Sequence, residues 1–305
     1  MAVIAWLGAG AALAQSPPSQ PGSGPGGTDY THDRVVSQRF GQGETGFVLF
    51  QPAAPRPETA PVVVFMHGFL AVSPATYIGW IQHLVRRGHI VIYPRYQGLL
   101  TDPRNFTANA AVGVRDALAE LQRGNHVRPS LDKFAIVGHS CGGSIAADLA
   151  AKASVEGLPA PSVVMPVQPG CFFTPAPLEA IPASALLVVM VGEDDTVVGD
   201  FQGRDIWRGT AHIPLAQRDY LIQRTDRYGT PDLVADHGAP LGGRGGSGVD
   251  AMDWYSHWKI LDALTSCAWY GQDCDTALGG GPAQIGMGVW SDGRPVVPMT
   301  STKTP

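Results

Sequence analysis

A chain of 305 residues, 44% hydrophobic and 15% charged, can bury one sizeable core or at most two, which excludes disorder of the chain as a whole. A net charge of −5 without any basic run argues against a nucleic-acid partner. The first apolar stretch, 2–13, is too short to span a bilayer and ends in Ala12-Leu13-Ala14 before Gln15, the small-residue pattern of a cleavage site. Residues 1–14 are therefore read as a signal peptide, although no Lys or Arg precedes the apolar part. The mature protein is expected to be secreted or periplasmic, with no stable membrane insertion. Residues 15–28 are rich in Pro, Gly and Ser and read as a flexible linker. The folded domain is expected over 29–278, followed by a Gly/Pro-rich tail, 279–305, either wrapped around the body or partly disordered.

Within the folded part, apolar runs separated by turn residues predict eight strands, at 35–40, 46–51, 62–67, 90–95, 134–138, 162–167, 185–192 and 219–225. From the third onward most are continuous Val/Ile/Leu runs, as in parallel strands buried on both faces. Helical spacing predicts helices at 76–87, 108–122, 141–153, 199–209 and 253–266. Two early strands followed by strand–helix alternation make an α/β protein with a mostly parallel sheet. The connection 168–184 is Pro-rich and too short for a large lid, so an open site suited to bulky or surface-bound substrates is expected. Gly243-Arg244-Gly245-Gly246-Ser247-Gly248 has the letters of a dinucleotide-binding loop but neither the preceding strand nor the βαβ setting, and is read as a loop beside the site.

The chemistry centres on Gly138-His139-Ser140-Cys141-Gly142, with an apolar strand before it and an Ala-rich helix after it. That is the setting of a G-x-S-x-G nucleophile elbow, in which Gly138 and Gly142 avoid clashes in a tight turn and Ser140 is lifted above the sheet edge. A serine hydroxyl needs a base, and the base needs an orienting carboxylate; in elbow sites both follow the serine, acid first. Glu193, Asp194 and Asp195 compete after the strand at 185–192, and Asp195 fits the G-x-x-D-x-V turn formed with Gly192 and Val197 best. Of the three later histidines, His212 precedes the last strand and His257 lies inside a helix between Trp254 and Trp258. His237, in the loop after the last strand, is the candidate general base. Two backbone donors are expected to hold an oxyanion, one from Cys141 and one from Phe69 in His67-Gly68-Phe69. Phe69, Tyr77, Phe172 and Trp207 are candidate substrate contacts.

Four cysteines fit an exported protein. Cys267 and Cys274, with Gly271 between them, are expected to form a disulfide. Cys141 and Cys171 are expected at one sheet edge, either bridged or as buried packing groups, and the second reading is favoured. Zinc-type CxxC spacing is absent.

Across 62–274 the chain resembles secreted, lidless α/β-hydrolases, similar to bacterial cutinases and polyester hydrolases and to platelet-activating-factor-acetylhydrolase and chlorophyllase-like esterases. The residues that carry the likeness are His67-Gly68-Phe69, Gly138 to Gly142, Gly192 to Val197, His237 and the C-terminal cysteine pair. The resemblance implies an α/β-hydrolase fold with an eight-stranded, mostly parallel sheet flanked by helices. It implies Ser140 as nucleophile, Asp195 as acid, His237 as base and the Phe69 and Cys141 amides as oxyanion hole. It further implies a small-molecule or polymeric ester substrate, and neither metal nor organic cofactor. Polyester hydrolases often have Met after the nucleophile, where this chain has Cys141. Acyl transfer or peptide hydrolysis on the same triad, and a non-catalytic binding protein of this fold, are the alternatives.

Overall fold

The computed structural model describes residues 15–172, 176–242 and 248–305. The leader reading of 1–14 and most of the 243–248 loop reading fall outside the described residues. The strands are β1 (Arg34–Phe40), β2 (Phe47–Ala53), β3 (Thr59–Met66), β4 (Ile90–Pro94), β5 (Arg128–His139), β6 (Val163–Val167), β7 (Leu186–Gly192), β8 (Arg218–Gln223) and β9 (Thr300–Thr302). They form one sheet in the order β1-β2-β4-β3-β5-β6-β7-β8-β9. The run from β4 to β8 is parallel, while β1, β2 and β9 pair antiparallel at the two margins. Eight strands were expected; the ninth lies in the tail, where three residues leave too short a signal to read.

The central strands bury alternate side chains on opposite faces. Val62, Val64 and Met66 of β3 enter one core, and Val63 and Phe65 the other. The long helices are α1 (Ile78–Arg86), α2 (Phe106–Leu121), α3 (Cys141–Lys152), α4 (Phe201–Gly209) and α5 (Trp258–Tyr270), with two single turns, α6 (Cys274–Ala277) and α7 (Pro282–Ile285). Ala110, Ala111 and Val114 of α2, Ile145 and Leu149 of α3 and Ile206 of α4 pack on one face. Trp80, Ile81 and Leu84 of α1 and Leu261 and Leu264 of α5 pack on the other. This three-layer arrangement is the α/β-hydrolase fold. Among the described residues of the connection after β6, the only helical turn is a 3-10 turn, Leu178–Ala180. None of the described helices is long and apolar enough to cross a membrane.

Two segments pack more closely than their composition suggests. The stretch 15–28, expected as a flexible linker, is pinned to the body: the Gly26 amide donates to Asp262 Oδ2 at 2.8 Å, and the Thr230 amide donates to the Gln15 carbonyl at 2.8 Å. The tail is wrapped rather than disordered, because Asp219, fully buried in β8, needs partners and finds them there. It accepts from the Gly279 amide and from Gln284, and pairs with Lys303. Cys267 and Cys274 are bridged, as expected. Cys141 and Cys171 are bridged as well, which corrects the favoured reading of unpaired thiols. The Ser140 carbonyl accepts from the Gly170 amide at 3.1 Å, so the two cysteines are drawn together by hydrogen bonds that spacing alone does not reveal. Two disulfides fit an oxidising compartment.

Candidate active site

Strands β3, β5, β6 and β7 all end at the same sheet edge, and the loops that leave them carry the site. Ser140 sits between β5 and α3 with φ 59° and ψ −127°, a strained conformation that throws its side chain clear of the sheet. The strain is held by packing. A Cβ on Gly138 would stand 2.1 Å from the Gly142 carbonyl oxygen, and one on Gly142 would stand 2.1 Å from that of Met66. Both glycines are therefore required by backbone contact.

The loop after β8 brings His237 over Ser140. His237 Nε2 lies 2.9 Å from Ser140 Oγ, and His237 Nδ1 lies 2.8 Å from Asp195 Oδ2. Asp195 Oδ1 accepts from the Val197 amide at 2.9 Å and the Val198 amide at 3.1 Å. Burial pushes the Asp195 carboxyl up, but the hydrogen bond from His237 and the Val198 and Val197 amides outweigh it and hold the group below the usual carboxylate range. The two rival acids face away: Asp194 Oδ2 accepts from Thr225 Oγ1 and Arg227, and Glu193 pairs with Arg224. The two rival histidines are engaged elsewhere. His212 Nε2 lies 2.8 Å from the Ile181 carbonyl, and His257 is buried against the Trp80 ring.

The two expected donors lie in the loop after β3 and at the start of α3. Cys141 opens α3, so its N–H has no intrahelical acceptor. The Gly68 carbonyl accepts from Gln97 Nε2 at 3.2 Å; because the peptide is planar and trans, this anchors the opposite direction of the Phe69 N–H. Phe69 and Phe172 meet edge to face at 5.4 Å and, with Ser140, Gly170, Cys171, Val197, Val198, Phe201 and Gln202, line a cleft of about 360 Å³. Gln202 fixes its wall: Oε1 accepts from the Cys171 amide at 2.9 Å, and Nε2 donates to the Cys171 carbonyl at 2.6 Å.

Of the four candidate contacts, Phe69 and Phe172 thus reach the cleft and the other two do not. Tyr77 is buried behind the loop, where its hydroxyl accepts from the Gly68 amide at 2.9 Å. Trp207 is in the core, 4.1 Å beneath the Arg218 guanidinium, because α4 turns its apolar face toward the sheet. Sequence reasoning passed over Gln97, Gln168, Gln202 and Phe201. The only signal for Gln97 and Gln168 is an amide side chain soon after an apolar strand.

Residues 41–170 match the family model described as Chlorophyllase, a family of the α/β-hydrolase superfamily. The matched stretch includes Phe69 and the elbow but ends before Asp195 and His237. No curated protein matches the chain.

Proposed function

We propose that this chain is a secreted serine hydrolase of carboxylic esters that works through an acyl-enzyme on Ser140. The observation that carries the reading is the continuous contact from Ser140 Oγ through His237 to a buried Asp195, at 2.9 and 2.8 Å. Ser140 Oγ attacks the ester carbonyl carbon as His237 Nε2 takes its proton, and Asp195 holds the ring and balances the imidazolium. The tetrahedral oxyanion accepts from the Phe69 and Cys141 amides. The C–O bond to the alcohol breaks and the alcohol leaves with the proton from His237. Water, deprotonated by the same nitrogen, then cleaves the acyl-serine and releases the acid. The match of residues 41–170 to an ester-hydrolase family supports the same class.

The cleft points to the substrate class. Phe172, Val197 and Phe201 are each about 70% exposed around it, an apolar wall facing solvent. Such a wall suits the acyl part of a bulky or polymeric ester better than a small polar one. The test is hydrolysis of p-nitrophenyl esters from acetate to palmitate by the wild type and Ser140→Ala. Turnover that is lost in the variant and favours medium or long acyl chains is expected. Equal rates in both proteins would refute the reading.

A further inference from the structure

A second row of polar side chains runs beneath the triad, and the catalytic steps above do not use it. His139 is 2% exposed and its ring lies against that of His237, centroids 4.8 Å apart. Its Nδ1 is 2.9 Å from Tyr77 Oη and its Nε2 is 3.1 Å from Gln168 Oε1. The direction of every bond in the row follows from its ends. Gln168 Nε2 donates to the Asp236 carbonyl at 2.7 Å, so the oxygen of that amide faces His139. His139 Nε2 then carries a proton, and in the neutral ring Nδ1 accepts from Tyr77. The Tyr77 oxygen in turn accepts from the Gly68 amide. Gln168 is itself fully buried, with φ 43°, a backbone conformation rarely adopted without support.

We propose that His139, held as the neutral Nε2–H tautomer between Tyr77 and Gln168, is a positioning residue that couples the oxyanion loop to the general-base loop. This rests on the ester-hydrolase reading. One end of the row is the Gly68 amide, next to the donor Phe69. The other end is the carbonyl of Asp236, next to His237. A shift of either loop therefore strains the same imidazole. The ring also has a charge requirement. When His237 becomes an imidazolium, the face beneath it must not be a second cation. Burial keeps His139 neutral, with its imidazolium pulled down to about 3.

Two measurements test this. The first is a double-mutant cycle with Tyr77→Phe and Gln168→Met, which break the row on opposite sides of His139. Each is expected to lower kcat about tenfold, the cost of one buried hydrogen bond, with KM within about twofold. The pair is expected to cost far less than the hundredfold product, because the second break acts on a row already broken. A multiplicative loss, or one carried by KM, would overturn the coupling. The second is the ¹⁵N chemical shifts of the wild-type imidazoles at neutral pH, which require no variant to fold. A neutral Nε2–H tautomer at His139 supports the proposal, and an Nδ1–H or charged ring overturns it. Loss of wild-type turnover in Ser140→Ala, measured alongside, reports on the ester-hydrolase reading separately.

Discussion

Asp194 and Asp195 are neighbours in sequence and opposite in circumstance. Asp195 is buried, bonded to His237 and two amides, while Asp194 is partly exposed and paired with Arg227. An exposed ion pair contributes little, about 1 kcal/mol or less. Losing the carboxylate that orients a catalytic histidine costs about four orders of magnitude in kcat in the best-studied triad. Asp195→Ala is therefore expected to lower kcat at least a thousandfold on a p-nitrophenyl ester, and Asp194→Ala less than about threefold. The reverse ranking would transfer the acid role to Asp194. The meeting of Ser140, His237 and Asp195 is legible in the chain because three separate rules converge: G-x-S-x-G between strand and helix, an acid after a strand, and a histidine in the last loop. Tyr77 and Trp207 were misread because an aromatic ring near a site in sequence carries no information on which way its element turns.

The strand–turn–helix element around Ser140 shows why some of the fold reads plainly. Its glycines are demanded because an added Cβ would stand 2.1 Å from a backbone carbonyl oxygen, which leaves no choice of residue. Gly142→Ala is expected to destabilise the protein by about 2 kcal/mol or more and to abolish ester turnover, as thermal melting and assay would show. A stable, active Gly142→Ala protein would contradict the described elbow. The buried strands were equally legible, since β-branched runs on both faces have one common solution. The final helix was less so. A π-helical segment, Asp253–His257, precedes α5, which runs on to Tyr270, beyond the expected end at 266. Spacing cannot show a widened turn. The Cys141–Cys171 bridge likewise depends on a backbone bond between distant residues. Non-reducing peptide mapping is expected to find 141 joined to 171 and 267 joined to 274; free thiol at Cys171 would contradict the first bridge.

At the scale of the molecule, buried carboxylates tie the ends of the chain to the sheet. Asp219 holds the tail and Asp262 holds the N-terminal segment, which also packs through Arg87 and Asp29. Composition alone made the N-terminal segment look free and left the tail undecided, because Pro- and Gly-rich stretches hide single hydrogen bonds to buried acids. Removing 279–305 would strip Asp219 of these partners and take Met287, Trp290, Val296 and Met299 out of the core, and a loss of about 3 kcal/mol or more is expected on denaturant unfolding. Unchanged stability would mean that the tail is only draped on the body. Asp262 gives a pH signature. Burial pushes its carboxyl up, but His83, Arg87 and the Gly26 amide outweigh it and hold it below the usual range. A lowered folded value stabilises the protein fully above the unfolded aspartate value, about 3.9, and that stabilisation is lost as the pH falls through the folded value. Asp262→Asn should therefore flatten the acid limb of the stability–pH curve; an unaltered limb would contradict the assignment. The central claim, that Ser140 is activated by His237, is tested most directly by labelling with a fluorophosphonate and mapping the adduct by mass spectrometry. The account predicts one adduct, on Ser140, formed rapidly by the wild type and very slowly by His237→Ala. No adduct on Ser140 in the folded wild type, or equal labelling of the two proteins, would contradict it.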